Sequence, residues 1–116
     1  MSKVYLAGPM RNIPYFNLPA FKDGAAQLRA KGYEVFSPAE KDIEMYGEEV
    51  FMANPTGDLA ATAKYGFSIR KAMEIDCVWI CQNADIVALL PGWENSKGAR
   101  TEKALAETIG AEVIYL

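Results

Sequence analysis

Two carboxylates interrupt apolar helical stripes in the C-terminal half of this sequence. In PGWENSKGARTEKALAETIG, a helix started at or just after Ser96 and stopped by Gly110 places Glu102, Leu105, Ala106 and Ile109 at i, i+3, i+4 and i+7. Glu102 therefore points inward. In the preceding helical stretch Ile69, Met73, Asp76 and Ile80 share one stripe, and Asp76 breaks it in the same way. A buried carboxylate is costly unless hydrogen-bonded or paired, and the surroundings that bury it move its pKa into a range useful for proton transfer. Paired carboxylates of this kind cleave glycosidic bonds, one attacking or activating water and the other protonating the leaving group. Spacing alone equally fits a plainer arrangement, in which Glu102 reaches solvent from the first turn of its helix and Asp76 pairs with Arg70 or Lys71.

Other chemistry is limited by composition. The chain of 116 residues has no histidine, which removes the usual Ser-His-Asp and Cys-His nucleophile systems and the commonest zinc ligand. Cys77 and Cys81 stand four apart without a second pair, so they read as two buried free thiols rather than a metal cluster or a disulfide framework. No metal and no organic cofactor is implied. A net charge of −3 without any block of like charges leaves no broad basic footprint for nucleic acid. A single phosphate could still be held where Asn95-Ser96-Lys97-Gly98 opens a helix with free N–H groups, a hydroxyl and a cation, with Arg11 closing from a second loop. Tyr15, Phe16 and Trp93 are aromatic residues able to stack on a base.

The elements that must position these residues follow from periodicity and breakers. VYLA, ended by Gly8-Pro9, reads as a first buried strand. A helix over residues 17–31 follows, capped by Asn17 with Pro19 in its first turn and ended by Gly32. Residues 33–36 form a second strand. Residues 38–66 mix helix-like EKDIEMYGEEVF with the breakers Asn54-Pro55 and Thr56-Gly57, and that length favours a functional loop or lid. Ser68 caps a helix running to about Asn83, IVALL is a third strand stopped by Pro91-Gly92, and a last strand covers residues 112–116 after the Glu102 helix.

Apolar strands alternating with amphipathic helices predict an α/β three-layer sandwich, Rossmann- or flavodoxin-like, with a parallel sheet of four or five strands. The whole chain is one domain, and helices on both faces require the winding to reverse, most simply with the strand order 2-1-3-4. Ligands of such sheets bind at the switch point outside the carboxyl ends of the strands. There the loop Gly8-Pro9-Met10-Arg11 after the first strand meets PGWENSKG after the third.

In order along the chain now stand YLAGPMR, an aspartate on the penultimate helix, an Ala84-Asp85-led strand, and S-x-G-x-x-x-E ending at Glu102. Together these resemble the nucleoside 2-deoxyribosyltransferase superfamily. The run LPGWENSKGARTE is similar to a signature of a small phage and bacterial branch of it, usually labelled a domain of unknown function. The resemblance extends over nearly the whole chain and is weakest across residues 41–65. It implies that Glu102 is the nucleophile attacking C1′ of deoxyribose, that Tyr5 orients it, and that Asp76 helps the base depart. In the nucleotide N-hydrolases of the superfamily, an arginine after the first strand and the serine and glycine ahead of the glutamate hold the 5′-phosphate. Those places are Arg11, Ser96 and Gly98 here. Gly8, Pro9, Met10, Phe16, Trp93 and Lys97 complete the expected substrate-binding set. Two positions depart from the pattern, Arg100 and Ala104, where relatives often carry glycine.

The expected ligand is therefore a small deoxynucleotide or deoxynucleoside, with hydrolysis or base transfer as the reaction. An alternative from another class is a protein that binds or sequesters a small nucleotide without turnover. A chain of this size gains by burying more surface, and a homodimer or higher oligomer is expected. With no apolar run of membrane-spanning length and no signal-peptide layout, the expected place is the cytoplasm and no membrane partner is expected.

Overall fold

The computed structural model describes residues 2–116. Four parallel strands, β1 (Lys3–Ala7), β2 (Glu34–Phe36), β3 (Ile86–Leu89) and β4 (Glu112–Tyr115), lie in the order β2-β1-β3-β4. The winding reverses between β1 and β3, where Val4 lies opposite Ile86 and Tyr5 opposite Val87. Alternation along the central strands divides the core. Val4, Leu6, Ile86 and Ala88 face a cluster with Phe21, Ala25 and Leu28 of helix α1 (Leu18–Ala30). Tyr5, Ala7, Val87 and Leu89 face Ile80 of α4 (Ile69–Asn83) and Ala99 and Ala106 of α5 (Lys97–Ile109). Both central strands are buried on two faces, which is why they are apolar throughout rather than alternating with polar residues.

The caps and stops expected for α1, α4 and α5 form as read, with one exception. Ser68 Oγ accepts from the Lys71 N–H at 3.3 Å, Ser96 Oγ accepts from Ala99 N–H at 3.1 Å, and Gly110 stops α5 with φ of +80°. Asn17 is the exception: it is left-handed, with φ of 64°, and its amide donates to the Pro9 carbonyl at 3.0 Å instead of capping α1. The cap is given up to tie the segment before α1 to the turn after β1. Gly8 belongs to the same packing, since a Cβ there would lie 2.8 Å from Leu90 Cβ.

Residues 38–66 are mostly helical rather than an open loop. They form α2 (Pro38–Tyr46), one turn of helix α3 (Glu49–Met52) and a 3-10 segment (Leu59–Tyr65). Backbone bonds from Asn12 N–H to the Gly57 carbonyl, 2.8 Å, and from Tyr15 N–H to the Asn54 carbonyl, 3.0 Å, hold this region on the loop after β1. Among the described residues no helix is long and apolar enough to cross a membrane.

Candidate active site

Tyr5 sits mid-strand on β1, pointing to the α4/α5 face, with its ring stacked on Phe36 at 5.6 Å and tilted against Trp79 at 6.4 Å. This packing leaves its hydroxyl at the carboxyl end of the sheet, where the first turns of α5 cross. The hydroxyl donates to Glu102 Oε2 at 2.6 Å, joining residues 97 positions apart. Tyr5, Glu102 and Asp76 are respectively 0%, 5% and 8% exposed, and all three line one cavity of about 590 Å3. That volume is in the range of sites for small molecules.

The inward stripes are close to those expected and shifted in detail. On α4 the buried positions are Ala72, Asp76 and Ile80, while Ile69 sits at the cavity's exposed edge and Met73 is half-buried. On α5 they are Ala99, Glu102 and Ala106, with Ile109 exposed. Neither carboxylate takes the plainer option. Lys71 pairs with Glu74 at 2.8 Å rather than with Asp76, and Glu102 faces Tyr5 rather than solvent. Cys77 is half-buried and Cys81 exposed, so the expectation of two buried thiols fails for Cys81, which α4 carries outside its inward row.

Burial sets the protonation of the site. Loss of solvent pushes Glu102 up to about 8, against the lowering effect of the Tyr5 hydrogen bond, and the nearby Asp76 charge raises it further. Asp76 is pushed to about 7 by burial, with some relief from Tyr5. Tyr5 itself is raised well above its ordinary value, first by burial and then by the two carboxylates, so it remains a hydrogen-bond donor. The cluster thus holds protons near neutrality, and its apparent titrations belong to the group rather than to single residues. One carboxylate able to attack and one carboxyl able to give a proton, within one apolar-walled cavity, are the parts that glycosidic cleavage uses.

The rest of the expected set divides. Gly8, Pro9, Met10, Arg11 and Phe16 from the β1 side, and Ser96, Lys97 and Gly98 from the α5 side, line the same cavity. Lys97 and Gly98 are first-turn residues of α5, whose N–H groups lack helical partners, and a Cβ on Gly98 would meet no protein atom closer than 3.9 Å. Protein packing does not require glycine at this position. A glycine there leaves room for a ligand to approach the backbone. Trp93 is not part of the cavity: it packs against Tyr115 at 5.9 Å with the Lys103 ammonium over its ring at 5.5 Å. It is held outside because the 3-10 turn Trp93–Asn95 directs it towards β4. Tyr15 is also outside the lining, and Arg100 is exposed on α5 with its Nε donating to the Ser96 carbonyl at 3.4 Å.

Residues 38–67 supply wall residues that motif reading missed: Val50, Phe51, Thr62, Phe67 and, most consequentially, Asp42. A signal for Asp42 was present, because Ala39, Asp42, Ile43 and Tyr46 recur at i, i+3, i+4 and i+7 and repeat the pattern of Glu102. Burial, with Asp76 nearby, raises Asp42 to about 7.

Residues 2–115 match the family described as Domain of unknown function (DUF4406). The chain belongs to that family. Its match spans every element that builds the cavity, from β1 to β4. Searches of curated proteins and of solved structures each gave no match.

Proposed function

We propose that the chain cleaves or transfers the N-glycosidic bond of a 2′-deoxynucleoside or its 5′-monophosphate, with Glu102 as the nucleophile. The observation that carries this reading is the 2.6 Å bond from Tyr5 to Glu102 on a cavity that Asp76 shares. The likeness of the motifs to the nucleoside 2-deoxyribosyltransferase superfamily agrees with it. In the first step ionised Glu102 attacks C1′, the C1′–N bond breaks, and its electron pair leaves with the base as Asp76 delivers a proton. Tyr5 holds the Glu102 oxygen that does not attack. In the second step water, or a second base, attacks C1′ of the deoxyribosyl ester and Glu102 leaves as a carboxylate.

A 5′-phosphate is placed by the same reading at the N-terminus of α5, against Lys97, Gly98 and Ser96, with Arg11 opposite. Neither Arg11 nor Lys97 has an ion-pair partner among the described residues.

The test is base release from deoxynucleosides and their monophosphates, followed by chromatography, with and without a competing free base. Wild type should release base, and Glu102→Ala should lose at least about 10³-fold in rate, in line with removal of a covalent nucleophile. Undiminished release by the variant would take Glu102 out of that role. Dependence on the added base separates transfer from hydrolysis. Tight binding with the nucleotide recovered intact after long incubation would favour a sequestering protein instead.

A further inference from the structure

The cavity's buried polar groups are short of hydrogen-bond donors. Tyr5 has one hydroxyl hydrogen, and it is committed to Glu102. Thr62, another lining residue, has one, and it goes to the Leu59 carbonyl at 2.6 Å, so this hydroxyl is left as an acceptor only. Asp76 is 8% exposed and has no cation partner among the described residues; the Tyr5 hydroxyl, already bonded elsewhere, is its only relief. Asp42, half-buried on α2, makes no hydrogen bond or ion pair with a described residue, and the neighbouring Lys41 reaches Glu44 instead. The other side-chain donors that line the cavity, exposed Arg11, Asn12, Asn95 and Lys97 and half-buried Ser96, lie on the loop after β1 and at the start of α5.

A buried acceptor without a donor is costly, and a ligand that brings donors removes that cost. Donors of that kind are the N–H and O–H groups of a ligand. The cavity that Asp42 lines is also walled by Phe16, Val50, Phe51 and Phe67, apolar and aromatic surfaces suited to the faces of a planar heterocycle. The heterocycle's edge then meets Asp42 and Asp76. An exocyclic amino group carries two N–H donors, one for each carboxyl, while the ring nitrogen beside it accepts from whichever carboxyl holds a proton. A keto pyrimidine offers one ring N–H and turns a carbonyl oxygen towards the acceptors.

On the reading that the cavity takes a nucleotide, we propose that Asp42, together with Asp76, reads the base edge and selects bases with an exocyclic amino group, with cytosine preferred over uracil. The pair differ at the 4-position and at the neighbouring ring nitrogen, an acceptor in cytosine and an N–H in uracil. Protonation of the ring nitrogen next to the amino group also makes that base the better leaving group, so selection and departure use the same contact.

The experiment compares deoxycytidine and deoxyuridine 5′-monophosphates in two assays: base release by the active protein, and calorimetric binding to Glu102→Gln. Both are repeated with Asp42→Asn, whose folding is checked by circular dichroism and thermal melting. Wild type should prefer the amino base by about tenfold or more. Asp42→Asn presents an amide donor where a carboxyl stood, and it should narrow or reverse the preference, mainly by weakening the cytosine substrate. Equal use of the two nucleotides, or a preference untouched by Asp42→Asn, overturns the proposal. Should Asp42→Asn fail to fold, Asp42→Glu serves, with the preference kept but both rates reduced. Amino-selective binding without base release would sink the glycosidic reading and leave this one standing; release without selectivity would do the reverse. Binding of neither nucleotide overturns both.

Discussion

The two sides of the cavity are built by different means. On one side Tyr5, Asp76 and Glu102 project from β1, α4 and α5, regular elements fixed by the sheet and by helix packing, and all three are buried. On the other side residues 38–67 offer a nine-residue helix, a single turn and a 3-10 segment, held by a few specific bonds. Asn54 is one of them: its amide group donates to the Asp58 carbonyl and accepts from the Asp58 N–H, both at 3.2 Å. The three buried candidate groups thus sit on the regular elements of the sheet and its helices, and the facing wall is built from shorter elements tied by a few bonds.

The comparison is sharpened most by Tyr5→Phe. The ring still stacks on Phe36 and Trp79, and only the bond to Glu102 is lost. A hydrogen bond to a charged group contributes about 1.5–3 kcal/mol, so base release at neutral pH should fall about 10- to 100-fold. The direction of the pH dependence is diagnostic. Attack needs Glu102 ionised, at about 8, and base departure needs Asp76 protonated, at about 7, so kcat/KM of wild type is bell-shaped with its optimum between those values. Tyr5 lowers the pKa of both carboxylates, so removing its hydroxyl moves both limbs of the bell to higher pH. A limb that stayed in place would mean that the hydroxyl is structural only.

This division also accounts for what could be read in the sequence. The regular side was legible because its elements announce themselves: apolar strands, Ser caps, Gly stops, and carboxylates at the wrong place in a stripe. Topology then brought Tyr5 and Glu102 together across 97 positions. The other side was obscured by side chains that serve different partners from the ones local rules suggest. Ser37 and Glu40 have the spacing of a capping box for α2. Instead both Glu40 oxygens are taken by Arg29 at 2.6 Å, and the buried Ser37 hydroxyl has no partner among the described residues. The left-handed Tyr15 and Phe16, with φ of 53° and 51°, are likewise set by tertiary packing, and they decide that Phe16 enters the cavity while Tyr15 stays out. Trp93 lies outside the lining as well, turned by its 3-10 segment onto Tyr115 with the Lys103 ammonium over its ring.

A smaller effect should come from Gly57→Ala on the clipped side. Gly57 has φ of +70°, and a Cβ there would lie 2.2 Å from the Ile13 carbonyl oxygen, with the backbone offering no flexible tip to yield. The strain should cost about 1–3 kcal/mol, relieved by releasing the bonds to Asn12 and Tyr15. Since those bonds hold the wall and not the nucleophile, KM should rise several-fold with little change in kcat, and amide exchange should speed up across residues 48–66. A fall in kcat alone, with exchange unchanged, would show that the two sides are not separable in this way.

The smallest effect is the most discriminating for the phosphate. Ser68 and Ser96 both cap helices through the hydroxyl, and replacing either by alanine should lower stability by about 1 kcal/mol. Only Ser96 lines the cavity. Ser68→Ala should therefore leave the KM values of a deoxynucleoside and its 5′-monophosphate in their original ratio. Ser96→Ala should raise the monophosphate KM by a few-fold relative to the nucleoside, because a frayed first turn aims its N–H groups less well at the anion. Matching stability losses with a change in that ratio for Ser96 alone would assign the phosphate to the N-terminus of α5. Identical ratios for both variants would move it away from α5 and leave Arg11, on the loop after β1, as the charge to test.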